Sequence, residues 1–145
     1  MKLLLQKVSQ AKVLVDQKII GKIDSGLVLF LAIHRNDDIT TIPEWIEKIV
    51  HLKIFTNTKK VALSVKEIKG EILLVSQITL YASFQSGCAP SFSEAMPFAQ
   101  AKIFYKAFRQ ELIKAVGSKN ITTGRFGAHM QIDLINDGPV TILLP

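Results

Sequence analysis

Cysteine is almost missing from this chain: of 145 residues only Cys88 carries a thiol. A lone cysteine excludes an intrachain disulfide and fits a reducing compartment. No histidine stands near it in sequence, so it reads as a small, partly buried side chain instead of a nucleophile. The three histidines, His34, His51 and His129, are too far apart for metal-ligand spacing, and His51 falls on the surface of a helix. A glycine-rich phosphate loop and a dinucleotide fingerprint are both absent, so neither a metal nor a cofactor is expected. No apolar run approaches the roughly 20 residues of a membrane span. The start, Met1 to Lys7, is too short in its apolar part for a signal peptide. A soluble, cytoplasmic protein is expected.

Acidic residues are also in short supply. Twelve Asp and Glu face eighteen Lys and Arg, a net charge of +6. That balance favours a polyanionic partner, with RNA or DNA the first candidate. Repeats, low-complexity tracts and linkers are lacking, so residues 1–145 read as one domain. A domain of this size buries about 68–70% of its unfolded surface. With 48% hydrophobic residues it needs no disulfide or metal to stay folded.

The pattern along the chain is rich in strands. Lys2 to Val15 alternates, Asp16-Gln17-Lys18 turns the chain, and Ile19 to Ile23 returns. Ser25-Gly26 is a second turn, and Leu27 to Ile33 is almost wholly apolar, as in a strand buried on both faces. Pro43 and Glu44 start a helix running to about Lys53, with Trp45, Ile46, Ile49, Val50 and Leu52 on its apolar side. Thr56 to Lys60 is a loop, Ser64 to Lys69 is short and mixed, and Glu71 to Gln77 is a strong strand. Ser83 to Pro97 is irregular. A long helix follows from about Pro97 to Val116, ended by Gly117. Ala101, Phe104, Tyr105, Phe108, Leu112 and Ala115 recur at helical spacing and mark its buried face. Lys102, Lys106 and Arg109 lie on another face, where a solvated surface is the commoner outcome. Ile121 to Gly127 reads as loop, and Met130 to Ile135 and Val140 to Leu144 as two strands. The sum is an α+β domain with two main helices and a mostly antiparallel, barrel-like β core.

Two polar stretches could carry chemistry. Ser76-Gln77-Ile78-Thr79 closes the strongest strand and offers two hydroxyls and an amide. Ser76 or Thr79 could attack a substrate only with an adjacent base, and no base stands nearby in sequence. The second stretch is Asn136-Asp137-Gly138-Pro139-Val140-Thr141. Asp-Gly normally forms a two-residue hairpin turn. Here proline follows at once, and proline belongs at a strand's first residue or edge. Gly138-Pro139 is therefore punctuation or a backbone device aimed at a ligand.

These stretches recur together with Gln6-Lys7-Val8, Gly21 to Leu31, Pro90-Ser91-Phe92 and Thr123-Gly124-Arg125-Phe126-Gly127-Ala128-His129-Met130. In this order they resemble the D-aminoacyl-tRNA deacylase family, also called D-tyrosyl-tRNA(Tyr) deacylases, along the whole chain. The resemblance implies a homodimer that hydrolyses the ester between a D-amino acid and the 3′-terminal adenosine of tRNA, and removes mischarged glycine. It implies a cis Gly138-Pro139 bond reaching into the partner's pocket and excluding L side chains by shape. Ser76, Gln77, Ile78 and Thr79 match the catalytic motif. Phe126 and Met130 match positions lining the adenosine and aminoacyl pocket. Catalysis would be assisted by the 2′-OH of the terminal ribose, with backbone N–H groups near Ile78 and Thr79 holding the oxyanion.

Three residues depart from the family pattern. Ile78 replaces phenylalanine, Lys7 replaces arginine, and Ala89 replaces an arginine before Pro90. Two other readings stay open on the residues alone: a non-catalytic RNA-binding module using the basic helix face, and a serine or threonine esterase. The first predicts salt-dependent tRNA binding without loss of the ester. The second requires a base beside Ser76 or Thr79.

Overall fold

The first strand, β1 (Lys2–Val15), organises the rest. Its buried residues run Leu3, Leu5, Val8, Ala11, Val13, Val15, so the alternation slips by one position on each side of Val8. In a computed structural model, which describes residues 1–85 and 87–145, these slips coincide with register shifts against the final strand, between Gln6 and Val8 and between Val8 and Gln10. A bulge lets a strand change the face it buries without breaking. Leu3 and Leu5 therefore enter a core beneath the helices, while Val8, Ala11 and Val13 enter a second core on the other side of the sheet.

From β1 the chain turns at Asp16 and Gln17, both at positive φ (50° and 63°), into β2 (Lys18–Ile23). Two positive φ values give the turn whose twist suits a two-residue hairpin. β3 (Gly26–Ala32) pairs antiparallel with the first half of β1. The helix α1 (Ile42–His51) has Pro43 in its first turn and buries Ile42, Ile46, Ile49 and Val50. A small hairpin, β4 (Phe55–Thr56) and β5 (Ala62–Leu63), encloses the expected loop. β6 (Glu71–Ser76) runs parallel to β3. The long helix α2 (Phe98–Val116) buries Ala101, Phe104, Tyr105, Phe108 and Leu112, with Ala115 only partly covered. β7 (Ile121–Thr123) runs parallel to β6, and β8 (Gln131–Leu144) lies antiparallel along nearly all of β1.

The sheet order is β2-β1-β3-β6-β7, with β8 also pairing with β1. The end strands approach each other: the Thr122 hydroxyl donates to the Lys22 carbonyl at 3.4 Å, so the sheet nearly closes into a barrel. β3 and β6 explain their own composition. Leu27, Leu29, Leu31, Ile72 and Leu74 face the helices, while Val28, Leu73 and Val75 face the second core. A strand buried on both faces reads as a continuous apolar run.

Three expectations are corrected. Residues 121–123 form a strand and not a loop, because pairing with β6 supplies the hydrogen bonds that their short sequence does not announce. Residues 131–144 form one strand and not two, since both halves pair with β1 and no hairpin forms at Asp137-Gly138. Cys88 is exposed and not partly buried, because it lies in the surface loop that the Ser83–Ser91 bridge closes. No helix of the described residues is long and apolar enough to cross a membrane.

Between β5 and β6, Ser64 and Glu67 cap each other. The Ser64 N–H donates to the Glu67 carboxylate at 2.7 Å and the Glu67 N–H to the Ser64 hydroxyl at 3.3 Å. Lys53 donates to the same carboxylate at 2.5 Å and, with Ser64, draws its pKa down from an ordinary 4.5 to about 2. The carboxylate's stabilising contribution is complete above pH 4.5 and is lost as the pH falls towards 2. Glu67→Gln should therefore be less stable than the parent near pH 6 in urea titrations, with the gap closing over that acid range.

Candidate active site

A cavity of about 350 Å³ opens where β3 and β6 end, walled by α2 and the loop after β7. The size suits a small ligand or one end of a larger one. Its floor follows directly from strand pairing. Leu31 is opposite Ser76 in the parallel ladder, and the Gln77 N–H continues it by donating to the Leu31 carbonyl at 2.8 Å. There the strand stops and Ile78–Tyr81 form a 3-10 turn. Among the described residues the N–H groups of Ile78 and Thr79 have no internal acceptor, as expected for the first residues of a helical turn. The Gln77 amide donates to the Thr79 hydroxyl.

The turn is clamped from behind. Leu80 N–H donates to Gln77 at 3.2 Å, and Lys2 donates to the Leu80 carbonyl at 3.2 Å while lying 4.6 Å over the Tyr81 ring. Tyr81 is buried against His34, ring centres 5.3 Å apart. Burial, reinforced by the charges of Asp37 and Glu94, pushes its phenol up to about 12. Tyr81 therefore acts as a neutral packing element at ordinary pH.

The opposite wall is aromatic. Phe126 lies 5.2 Å from Phe98 and 5.2 Å from Tyr105, both tilted, a favourable arrangement for ring quadrupoles. The Tyr105 hydroxyl donates to the Leu74 carbonyl at 2.9 Å, and the Gly124 N–H donates to the same carbonyl at 3.0 Å. Burial raises the Tyr105 phenol far above its ordinary value, so it stays a donor. One carbonyl of β6 thus anchors both the helix and the loop that carry the wall. Gly127, at φ +73°, disfavours a side chain: a Cβ would stand 2.5 Å from the Phe98 ring, which would have to shift.

The cavity brings together Ser76, Gln77, Ile78, Phe126 and Met130. It leaves out Thr79, which is exposed on the 3-10 turn, and Gly138 and Pro139, which are exposed elsewhere. His129, Phe98, Met96 and Ala95 also line it and were not expected from the sequence. Phe98 carries a signal, an aromatic residue opening a helix beside that helix's buried set. His129 carries none locally. No hydrogen bond joins His129 to Ser76 or Thr79 among the described residues, so no activated hydroxyl is assembled within one chain. Nor do the described residues contain a cluster of three or more potential metal ligands.

Gly138-Pro139 sits in an excursion of β8. Gln6 pairs with Thr141 and Val8 with Asn136, so β8 spends Asp137 to Val140 opposite the single residue Lys7. The Asn136 amide holds the excursion's neck, donating to the Lys7 carbonyl at 2.9 Å and the Val140 carbonyl at 3.0 Å. Lys7 also pairs with Asp137 at 2.8 Å. The Gly138–Pro139 peptide is cis. Of the departing residues, Lys7 therefore supports the excursion as a point charge, Ile78 is an exposed cavity residue, and Ala89 is exposed in the 83–91 segment.

Known proteins match this chain along nearly its whole length. The family model described as D-Tyr-tRNA(Tyr) deacylase matches residues 4–145. A D-aminoacyl-tRNA deacylase of Thermotoga petrophila is 46% identical over 99% of this chain and 96% of its own length. One from Thermosipho africanus is 44% identical over 99% and 96%. A solved structure described as a c-Myc DNA Unwinding Element Binding Protein superposes with a TM-score of 0.94 at 37% identity, covering 100% of this chain and 98% of that one. A probable eukaryotic D-amino acid tRNA deacylase shares the fold, with a TM-score of 0.88 at 17% identity over 99% and 97% of the two chains. With its family model matched almost end to end, the chain belongs to the D-Tyr-tRNA(Tyr) deacylase family.

Proposed function

We propose that this protein hydrolyses the ester of D-aminoacyl-tRNA, releasing the free D-amino acid and tRNA. The observation that carries the reading is the pairing of two unused backbone donors, at Ile78 and Thr79, with an aromatic-walled cavity at one strand end. The 3′-terminal adenosine would lie against Phe126 and Met130, with the aminoacyl ester over Ser76 and Gln77. Water attacks the ester carbonyl, assisted by the neighbouring ribose 2′-OH. The two N–H groups stabilise the resulting oxyanion, and the 3′-oxygen leaves with a proton. A cytoplasmic location and a tRNA partner follow from that substrate.

Chirality would be judged by a second copy of the chain. Gly138-Pro139 lies outside its own protomer's cavity and is exposed, as are Ile135 and Leu143 on the same strand. In a homodimer packed through this strand, the excursion enters the partner's cavity. There its backbone accepts the α-amino group and leaves no space for an L side chain. Glycine, having no side chain, passes the same filter, so glycyl-tRNA mischarged on tRNA(Ala) is also cleaved.

Matched D-Tyr-tRNA and L-Tyr-tRNA give the test: D should be hydrolysed and L spared. Equal rates would overturn the chiral reading. Thr79→Ala should keep activity within about tenfold, because the residue contributes its N–H and not its hydroxyl. A loss beyond about a thousandfold, with a trapped acyl-enzyme in the parent, would restore a covalent threonine route.

A further inference from the structure

We propose that Lys102, Lys106 and Arg109 on α2 form the track that holds the phosphates of the tRNA acceptor arm and leads its end into the cavity at Phe98; this rests on reading the cavity as the aminoacyl site. Positive charge runs along the helix that opens at that cavity. Between residues 98 and 130, Lys102, Lys106, Arg109, Lys114, Lys119 and Arg125 face a single acid, Glu111. The segment carries a net charge of +5, and Lys102, Lys106 and Arg109 stand on the helix whose first turn walls the cavity.

Within α2 the cations are arranged and not scattered. At 3.6 residues per turn, positions 98, 102, 106 and 109 fall within an arc of about 80° and extend about 16 Å. The stripe starts at Phe98, which is exposed yet stacked on Phe126, so its first member belongs to the cavity's lip. Four other lysines are already engaged: Lys7 with Asp137, Lys12 with Asp133, Lys53 with Glu67 and Lys114 with Glu111. Among the described residues Lys102, Lys106 and Arg109 make no ion pair. Lys18 and Lys22, by contrast, lie among Asp16 and Asp24, and α1 balances Lys48 with Glu44 and Glu47. Cations running from an aromatic lip suit a nucleic-acid backbone, because phosphates bind by charge while the terminal base stacks.

The test compares two substrates on the full-length protein. For Lys102→Glu/Lys106→Glu, KM on D-Tyr-tRNA at low salt should rise about tenfold or more. The log–log salt slope of kcat/KM should fall by about 1.4 to 1.8, two phosphate contacts. Turnover of 3′-O-D-tyrosyl-adenosine, which lacks the arm, should stay unchanged. Lys102→Arg/Lys106→Arg should restore both tRNA values. An unchanged KM and slope for the glutamate variant would overturn the proposal, and equal losses on both substrates would assign the stripe to folding instead. If neither substrate is hydrolysed, the deacylase reading fails. Salt titration of uncharged tRNA binding then still reads the stripe by the same change in slope.

Discussion

Gly26→Ala should cost the protein several kcal/mol of stability and most of its folded population at 37 °C. Gly26 pairs with Glu71 in the parallel β3–β6 ladder, and a Cβ there would overlap the Glu71 carbonyl oxygen and lie 2.7 and 2.8 Å from its carbonyl carbon and nitrogen. All three are backbone atoms, so no side-chain rotation can relieve the overlap. Overpacking a core typically costs about 1–3 kcal/mol, and a backbone obstacle stands at or above the top of that range. Against a total stability of about 5–15 kcal/mol, this is a large share. If the strands separate to accommodate the methyl, the far end of the same ladder, Leu31 with Ser76, shifts as well. The surviving protein should then show reduced kcat/KM. Urea unfolding with the midpoint unmoved to within about 0.5 kcal/mol would sink this account.

Asn136→Ala should be the most damaging change to activity outside the cavity, lowering kcat/KM on D-Tyr-tRNA by on the order of a hundredfold. The side chain supplies the donors for the Lys7 and Val140 carbonyls, which the four-residue excursion of β8 removes from the strand ladder. Losing them costs about 0.5–1.5 kcal/mol each, so stability falls by about 1–3 kcal/mol. Under the proposed reading the larger consequence is positional, because an excursion that selects by its backbone would need its neck held. Displacement by about 1 Å is enough for a hundredfold loss. Asn136→Asp keeps one oxygen but no amide donor, and it should resemble alanine. Activity of either variant within twofold of the parent would show that Lys7–Asp137 alone suffices.

How far the sequence discloses all this depends on where each element's partners lie. The α2 face is legible because Phe104, Tyr105, Phe108 and Leu112 repeat at the helical period within one segment. The apolar runs of β3 and β6 are legible for a similar reason, since burial on both faces leaves no polar phase. β8 is not: Asp137-Gly138 has hairpin composition, and only contacts as distant as Lys7, 129 positions away, keep the chain on course. β7 is three residues long, too short for any period to register. Within the cavity, Ser76 to Ile78 and Phe126 to Met130 are recognisable as motifs. Met96 and Ala95 enter only because Met96 N–H donates to the Ile33 carbonyl and Ala95 bridges His34, contacts that no local pattern encodes.

The pairing of β1 with β8 also sets a timetable. Leu3 meets Leu144 and Leu14 meets Gln131, so a strand made among the first residues waits for one made more than a hundred residues later. At about 5–20 residues per second, that wait is on the order of ten seconds during synthesis. The helices close locally in microseconds, whereas a sheet of such distant contacts forms slowly. Meanwhile a 14-residue strand presents an open edge, the template by which chains pair with one another. Lys2, Lys7 and Lys12 are spaced along it. Before they meet Leu80, Asp137 and Asp133, their charges serve the nascent chain by discouraging the wrong partner.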